Sequence, residues 1–210
     1  MSGSTAVVVF VKTPGLSRSK TRLAAGVGAN KALAFYVHCL GKMNELLKSI
    51  ESSSCTKPYW AIAEQQGKGS LWWQDHETIV QSEGELGDRL HSIYSQLMEK
   101  HDAVIFLGAD SPQVELDDVL DAVKKIESNQ VDFVMGKTQD GGFYLFAGSK
   151  PLDEKVWTDV PYSVETTASE LSNKLESIGQ VEYIKDYYDV DTIDDLERLS
   201  KEHQEYAQFL

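Results

Sequence analysis

Residues Ala6 to Val11 read AVVVFV, an unbroken apolar run rich in β-branched side chains. A strand with one face in water alternates apolar and polar positions. An unbroken run instead marks a strand covered on both faces, as in a parallel sheet flanked by helices. The rest of the chain repeats the theme: further strands are expected at Lys57–Ala63, Thr78–Val80, Ala103–Leu107, Val131–Met135, Gly142–Phe146 and Val181–Ile184. Between them apolar residues recur at helical spacing. Leu33, Tyr36, Val37, Leu40, Met43, Leu47 and Ile50 define one long helix, and Leu86–Met98, Glu115–Ile126 and Glu165–Ile178 define others. Trp72 and Trp73 belong to a short helix as core packing, and Thr192, with Asp195 three residues on, caps a last helix. Residues 13 to about 28 read as a loop. Strands alternating with helices specify an α/β fold, a single doubly wound three-layer domain over 1–210 with a mostly parallel mixed sheet.

Charge decides what such a domain can bind. Twenty Lys and Arg against 33 Asp and Glu give −13, unevenly spread. The first acid is Glu45, and Lys12, Arg18, Lys20, Arg22, Lys31 and Lys42 all precede it. An acidic chain is a poor match for a nucleic acid polymer, where many cations must neutralise phosphates; a small anion held by one basic loop remains open. No stretch approaches the roughly 18 apolar residues of a membrane span. The start has no basic segment or small-residue cleavage site, and Cys39 and Cys55 show neither CxxC nor a disulfide framework. Cys39 falls in the apolar stripe of the long helix as a packed side chain, and the chain is expected to be cytoplasmic.

Spacing removes several motifs. PGLSRSKT carries the Lys-Thr of a P-loop, but Ser19 and Pro14 stand where its glycines are needed. Gly26-Val27-Gly28 lacks the third glycine of a dinucleotide fingerprint, Lys31 being there instead. His38, His76, His91, His101 and His203 show no zinc-ligand spacing, and no GxSxG elbow exists.

What remains lies at strand ends. KTPGLSRSKTRL, Lys12 to Leu23, leaves the end of the first strand with four cations and no acid. In open α/β sheets ligands bind outside the carboxyl ends of the strands, so this loop suits a diphosphate or triphosphate, with a solvated surface loop as the plain alternative. Asp110 follows the strand at 103–107, in LGADSP, and Asp191 follows the short strand near 181–184, in YYDVDTIDDL. Two aspartates at the same rim, with phosphate oxygens and water, would satisfy a hard divalent cation. Their plain alternatives are a turn residue and an acid beside a helix cap.

KTPGLSRSKTRLA, QSEGELGDRL at 81–90, FLGADSP at 106–112, DGGFYLF at 140–146 and DVDTIDDL at 189–196 occur in an order that resembles the bacterial DUF2064 family. That family is glycosyltransferase-A-like, within the nucleotide-diphospho-sugar transferase superfamily, and related to the molybdenum-cofactor and phospholactate nucleotidyltransferases. The resemblance runs over about residues 6 to 200 and implies a nucleotide-binding α/β sheet with Mg²⁺ or Mn²⁺. By position it implies that Lys12, Lys20 and Arg22 contact nucleotide phosphates together with Gly15 and Arg18, the Arg18 position being a variable one. It also implies that Asp110 and Asp191 hold the metal and that Lys20 and Asp110 are the catalytic groups. Asp140, Gly141 and Gly142 resemble an acceptor-side turn, or are a plain hairpin turn. Gly108 replaces the first acid of a glycosyltransferase DxD, so a second carboxylate has to come from elsewhere, which is the role given to Asp191.

The expected function is metal-dependent transfer of a sugar from a nucleotide-diphospho-sugar to a small acceptor. Two alternatives stay open: nucleotidyl transfer from a nucleoside triphosphate with release of pyrophosphate, which the cation density favours, and a nucleotide-binding module without catalysis.

Overall fold

The computed structural model describes residues 4–210, so the first three residues of the expected 1–210 domain lie outside the described residues. Seven strands form one sheet: β1 (Thr5–Val11), β2 (Thr56–Ile62), β3 (Glu77–Val80), β4 (Ala103–Gly108), β5 (Phe133–Lys137), β6 (Phe143–Gly148) and β7 (Val181–Tyr183). Their order is β3-β2-β1-β4-β6-β5-β7. β6 pairs antiparallel with both β4 and β5, while the other pairings are parallel. The helices are α1 (Thr21–Val27), α2 (Ala29–Ser53), α3 (Leu86–Met98), α4 (Leu116–Glu127), α5 (Glu154–Thr158), α6 (Thr167–Glu176) and α7 (Ile193–Glu202). This is the three-layer α/β architecture with a mostly parallel mixed sheet expected from the strand and helix patterns.

The first strand explains the layering. Val7, Val9 and Val11 pack with Met43, Leu47 and Ile50 of α2 and Val119 and Val123 of α4 on one face. Ala6 and Val8 pack with Leu90 and Ile93 of α3, Trp157 of α5 and Leu171 of α6 on the other. Both sets are fully or almost fully buried, which is why no polar residue interrupts the run. A third apolar cluster joins Leu23 of α1, Phe35 and Cys39 of α2, Val190, and Leu196 of α7. It ties the loop after β1 to the end of the chain.

Several elements differ from the sequence expectations. α1 lies inside the segment read as loop, because seven residues are too short to show a period and basic side chains dominate their neighbourhood. Gly28, at φ +88°, separates α1 from α2, and Gly26 packs against Ile193 of α7. α5 gave no signal for the same reason of length. α6 begins at Thr167, two residues later than expected: its hydroxyl donates to the Pro161 and Val164 carbonyls at 2.8 Å, holding the preceding residues out of the helix. The tryptophan pair divides, with Trp73 buried and Trp72 half-exposed.

From β1 the chain moves outward to β2 and β3, then crosses back to place β4 on the opposite side of β1. The crevice beyond the carboxyl ends of β1 and β4 is therefore the point where strand order reverses, the place where open α/β sheets bind ligands. Among the described residues no helix is long and apolar enough to cross a membrane.

Candidate active site

The loop after β1 is pinned at its root. The Tyr36 hydroxyl donates to the Lys12 carbonyl at 2.9 Å and accepts from the Lys12 amide at 2.8 Å, and the Thr13 amide donates to Glu64 Oε2 at 2.8 Å. The loop then turns through Gly15, at φ +88°, and ends at Lys20. Lys20 occupies the N-cap of α1 in the left-handed region, φ 51° and ψ 44°, where a side chain costs roughly 1–2 kcal/mol. Its side chain recovers that cost. The ammonium donates to Asp110 Oδ1 at 2.6 Å, Asp191 Oδ1 at 3.2 Å and the Val190 carbonyl at 2.8 Å, so all three of its N–H groups have acceptors. Only 2% of the Lys20 side chain is exposed. Burial works to lower its pKa, but the Asp110 and Asp191 carboxylates outweigh burial and hold it above the ordinary lysine value.

Asp110 and Asp191 come from distant parts of the chain. Asp110 follows β4, and its carbonyl accepts the Val190 amide at 3.0 Å, which draws the segment before α7 alongside the end of β4. Asp191 is then set by the cap of α7. Asp195 Oδ2 accepts the Asp191 and Thr192 amides at 3.1 and 2.8 Å, and the Thr192 hydroxyl accepts from the Asp195 amide. The second oxygen of Asp191 accepts from Arg22 at 2.5 Å, on a side chain 72% exposed.

A cleft opens on either side of this cluster. One lobe, of about 490 Å³, is bordered by Lys12, Lys20, Arg22 and Arg89 together with Tyr36, Gln81, Asp110 and Asp191. The other, of about 540 Å³, is bordered by Asp140, Gly142, Glu165 and Asp189 with Phe10, Phe143 and Tyr162. Asp110, Asp191, Arg22, Phe10, Leu86 and Ser163 border both, so the ion cluster marks the junction.

The structure brings Lys12, Lys20, Arg22, Asp110 and Asp191 to the cleft, and Asp140 and Gly142 to its second lobe. Gly15 and Arg18 border neither lobe. Arg18 points to solvent, and only its carbonyl is engaged, by Lys12 Nζ at 3.5 Å. Gly141 serves packing: at φ +90° it lies against residue 165, where a Cβ would stand 2.0 Å from the Glu165 carbonyl oxygen, and its own carbonyl accepts the Ala168 amide at 2.8 Å. Asp140 locks the turn between β5 and β6, its Oδ1 accepting from the Thr138 hydroxyl at 2.5 Å and the Gly142 amide at 3.1 Å. Residues 140–142 are thus a structural turn, of which Asp140 and Gly142 are also part of the lobe wall while Gly141 borders neither lobe.

Three site residues had gone unassigned. Asp189 sits deep in the second lobe, accepting from the Ser111 hydroxyl at 2.6 Å. Burial pushes its carboxyl up to about 6, with the Asp110 charge adding to this and the Ser111 hydrogen bond opposing it. The Asp-Val-Asp alternation was the available signal, since residues two apart in an extended segment share a face. Arg89 and Gln81 lie in QSEGELGDRL, at the start of α3 and the end of β3.

No His, Cys, Asp or Glu group of three or more gathers as a metal cage among the described residues. Two hard carboxylates at one ammonium nevertheless fit the donor set of Mg²⁺ or Mn²⁺, which keep phosphate oxygens and water as their remaining ligands. Asp110 leaves half of its side-chain surface exposed for such contact.

A family model described as an uncharacterized protein conserved in bacteria, DUF2064, matches residues 46–164, more than half of the chain. The chain belongs to the DUF2064 family. The match takes in Asp110 and the 140–142 turn but stops short of the basic loop and Asp191. No curated protein matches the chain. A solved structure from Desulfovibrio desulfuricans G20, provisionally named a nucleotide-diphospho-sugar transferase, superposes with a TM-score of 0.85 at 24% identity, covering 95% of this chain and 87% of that one. CMP:2-keto-3-deoxy-manno-octonic acid synthetase complexed with CTP superposes at 0.60 and 13% identity, covering 99% and 100%. A Mycobacterium tuberculosis H37Rv protein in complex with manganese superposes at 0.55 and 15%, covering 95% and 98%. At these identities the likenesses establish that this DUF2064 chain has the fold of nucleotide-sugar and nucleotidyl transferases.

Proposed function

We propose that the chain is a transferase that takes a nucleotide donor by its phosphates in the basic lobe and passes part of it to a small acceptor in the other. The observation that carries this is Lys20, buried between Asp110 and Asp191 where the two lobes meet. A cation fixed at that junction, with Arg22 beside it, lies where charge develops as a phosphate group departs, and it needs no reorganisation to act. Asp110 and Asp191 would hold Mg²⁺ or Mn²⁺. When bound, such an ion neutralises phosphate oxygens.

Charge balance favours a nucleoside triphosphate as donor. Lys12, Lys20, Arg22 and Arg89 border the basic lobe together with Asp110 and Asp191, a surplus of two positive charges. With a divalent cation the surplus equals the charge of a fully ionised triphosphate, whereas a nucleotide-diphospho-sugar leaves two cations unmatched. The reaction is then nucleotidyl transfer. An acceptor hydroxyl or amine bonds to the α-phosphorus, the bond to the β-phosphate oxygen breaks, and pyrophosphate and a proton leave. Sugar transfer from a nucleotide-diphospho-sugar is the second reading, supported by the fold likeness at TM-score 0.85 to a protein provisionally named for that activity.

Single-turnover product analysis with Mg²⁺ or Mn²⁺ separates them. A labelled nucleoside triphosphate yields pyrophosphate and a nucleotidylated acceptor on the first reading. A nucleotide-diphospho-sugar yields nucleoside diphosphate on the second. Neither product, with nucleotide bound at both charge states, leaves a binding module.

A further inference from the structure

The second lobe has a composition that discriminates among acceptors. The apolar part of its wall is formed by Phe10, Phe143 and Tyr162 with Leu86 and Val164, and the last two remain 40% and 46% exposed. Apolar surface of this kind favours a ligand that covers it with an apolar body. The polar part of the wall has one sign. Asp110, Asp140, Glu165, Asp189 and Asp191 border the lobe against the single cation Arg22, which is already paired with Asp191. The glycine turn offers no anion cradle either, because the Gly142 amide donates to Asp140 and the Gly141 amide to the Thr138 carbonyl. An entering phosphate would meet a surplus of carboxylates, with Arg22, already shared with Asp191, as its one cationic donor.

We propose that the acceptor lobe takes a non-anionic small molecule with an apolar body, an alcohol or an amine, and rejects phosphate esters and carboxylates. This rests on the transferase reading in one respect only, that the occupant of the lobe is the acceptor. The preference itself follows from the wall.

The test uses the full chain and three probes that share one body: 2-phenylethanol, 2-phenylethylamine and 2-phenylethyl phosphate, titrated by calorimetry and ligand-observed NMR. Binding is assigned to the lobe when Val164→Ser, a neutral change that removes apolar contact for all three probes, weakens it, since that exposed side chain can change without disturbing the core. The alcohol and the amine are expected to bind there, and the phosphate ester at least about tenfold more weakly, as like charges dictate. Glu165→Arg should narrow that gap. Phosphate ester binding in the lobe as tight as the alcohol's would overturn the proposal, as would no lobe binding by any probe at millimolar concentration. Nucleotide titration of the same preparation keeps the two readings apart. Probe order without nucleotide binding sinks the transferase reading and leaves the preference standing, and nucleotide binding with reversed probe order does the opposite.

Discussion

The two lobes of the cleft share Asp110, Asp191 and Arg22, and they differ in what surrounds those residues. On one side four cations converge from the loop after β1 and from α3. On the other, acids and aromatic rings come from the β5–β6 turn, the segment before α6 and the segment before α7. The contrast teaches that an overall charge of −13 says little about a site until the fold has sorted it. Acids from separate segments form one wall of the cleft, and the acid-free first 44 residues, joined by Arg89 of α3, supply the cations of the other. Lys20 is the hinge of that division because it is buried, fully hydrogen-bonded and held by both aspartates.

The strongest way to break the comparison is Lys20→Met, which keeps length and removes charge. Turnover is expected to fall on the order of 10³-fold. Denaturant unfolding should show a loss of about 2 kcal/mol, less than for a fully buried pair because Asp110 is half-exposed. Probe binding in the acceptor lobe should persist, and an equal loss there would show that the lobes do not act separately. Next come Asp110→Asn and Asp191→Asn, each expected to lower turnover by about 10² and to weaken the Mg²⁺ or Mn²⁺ dependence of nucleotide binding in calorimetry. Unchanged metal dependence in both would remove the metal from the junction.

A smaller effect tests the acidic wall. Gly141→Ala forces a side chain into φ +90° and onto the Glu165 carbonyl, so it should cost about 2 kcal/mol in thermal or chemical unfolding and weaken the acceptor side before the nucleotide side. The smallest is Arg22→Ala. Its guanidinium is mostly in water, so stability should change by no more than about 1 kcal/mol while nucleotide affinity drops several-fold. A large stability loss there would mean that Arg22, and not Lys20, organises the junction.

Legibility in the sequence followed the range of the interaction. The strand runs at Ala6–Val11 and Ala103–Leu107, the helix at Leu86–Met98 and the Thr192 cap with Asp195 were readable because each rests on residues a few positions apart. Asp110 was readable as a strand-end acid, whereas Asp191, read as following the strand near 181–184, lies past β7 at the cap of α7 and beside the end of β4. Their meeting on Lys20 was not readable, since 171 positions separate Lys20 from Asp191. Within the basic loop, charge alone could not tell Lys20, which turns inward at a left-handed N-cap, from Arg18, which turns to solvent.

Periodicity and charge by themselves therefore determined the α/β class, the two-faced burial of the first strand and the gathering of four cations on one loop, because burial and local charge are written residue by residue. The tertiary structure decided the antiparallel β6, the descent of Asp189 into the second lobe and the division of the cleft into a basic and an acidic side. Each of these depends on which distant backbone lies next to which, and only the assembled sheet and the docking of α7 on α1 supply that.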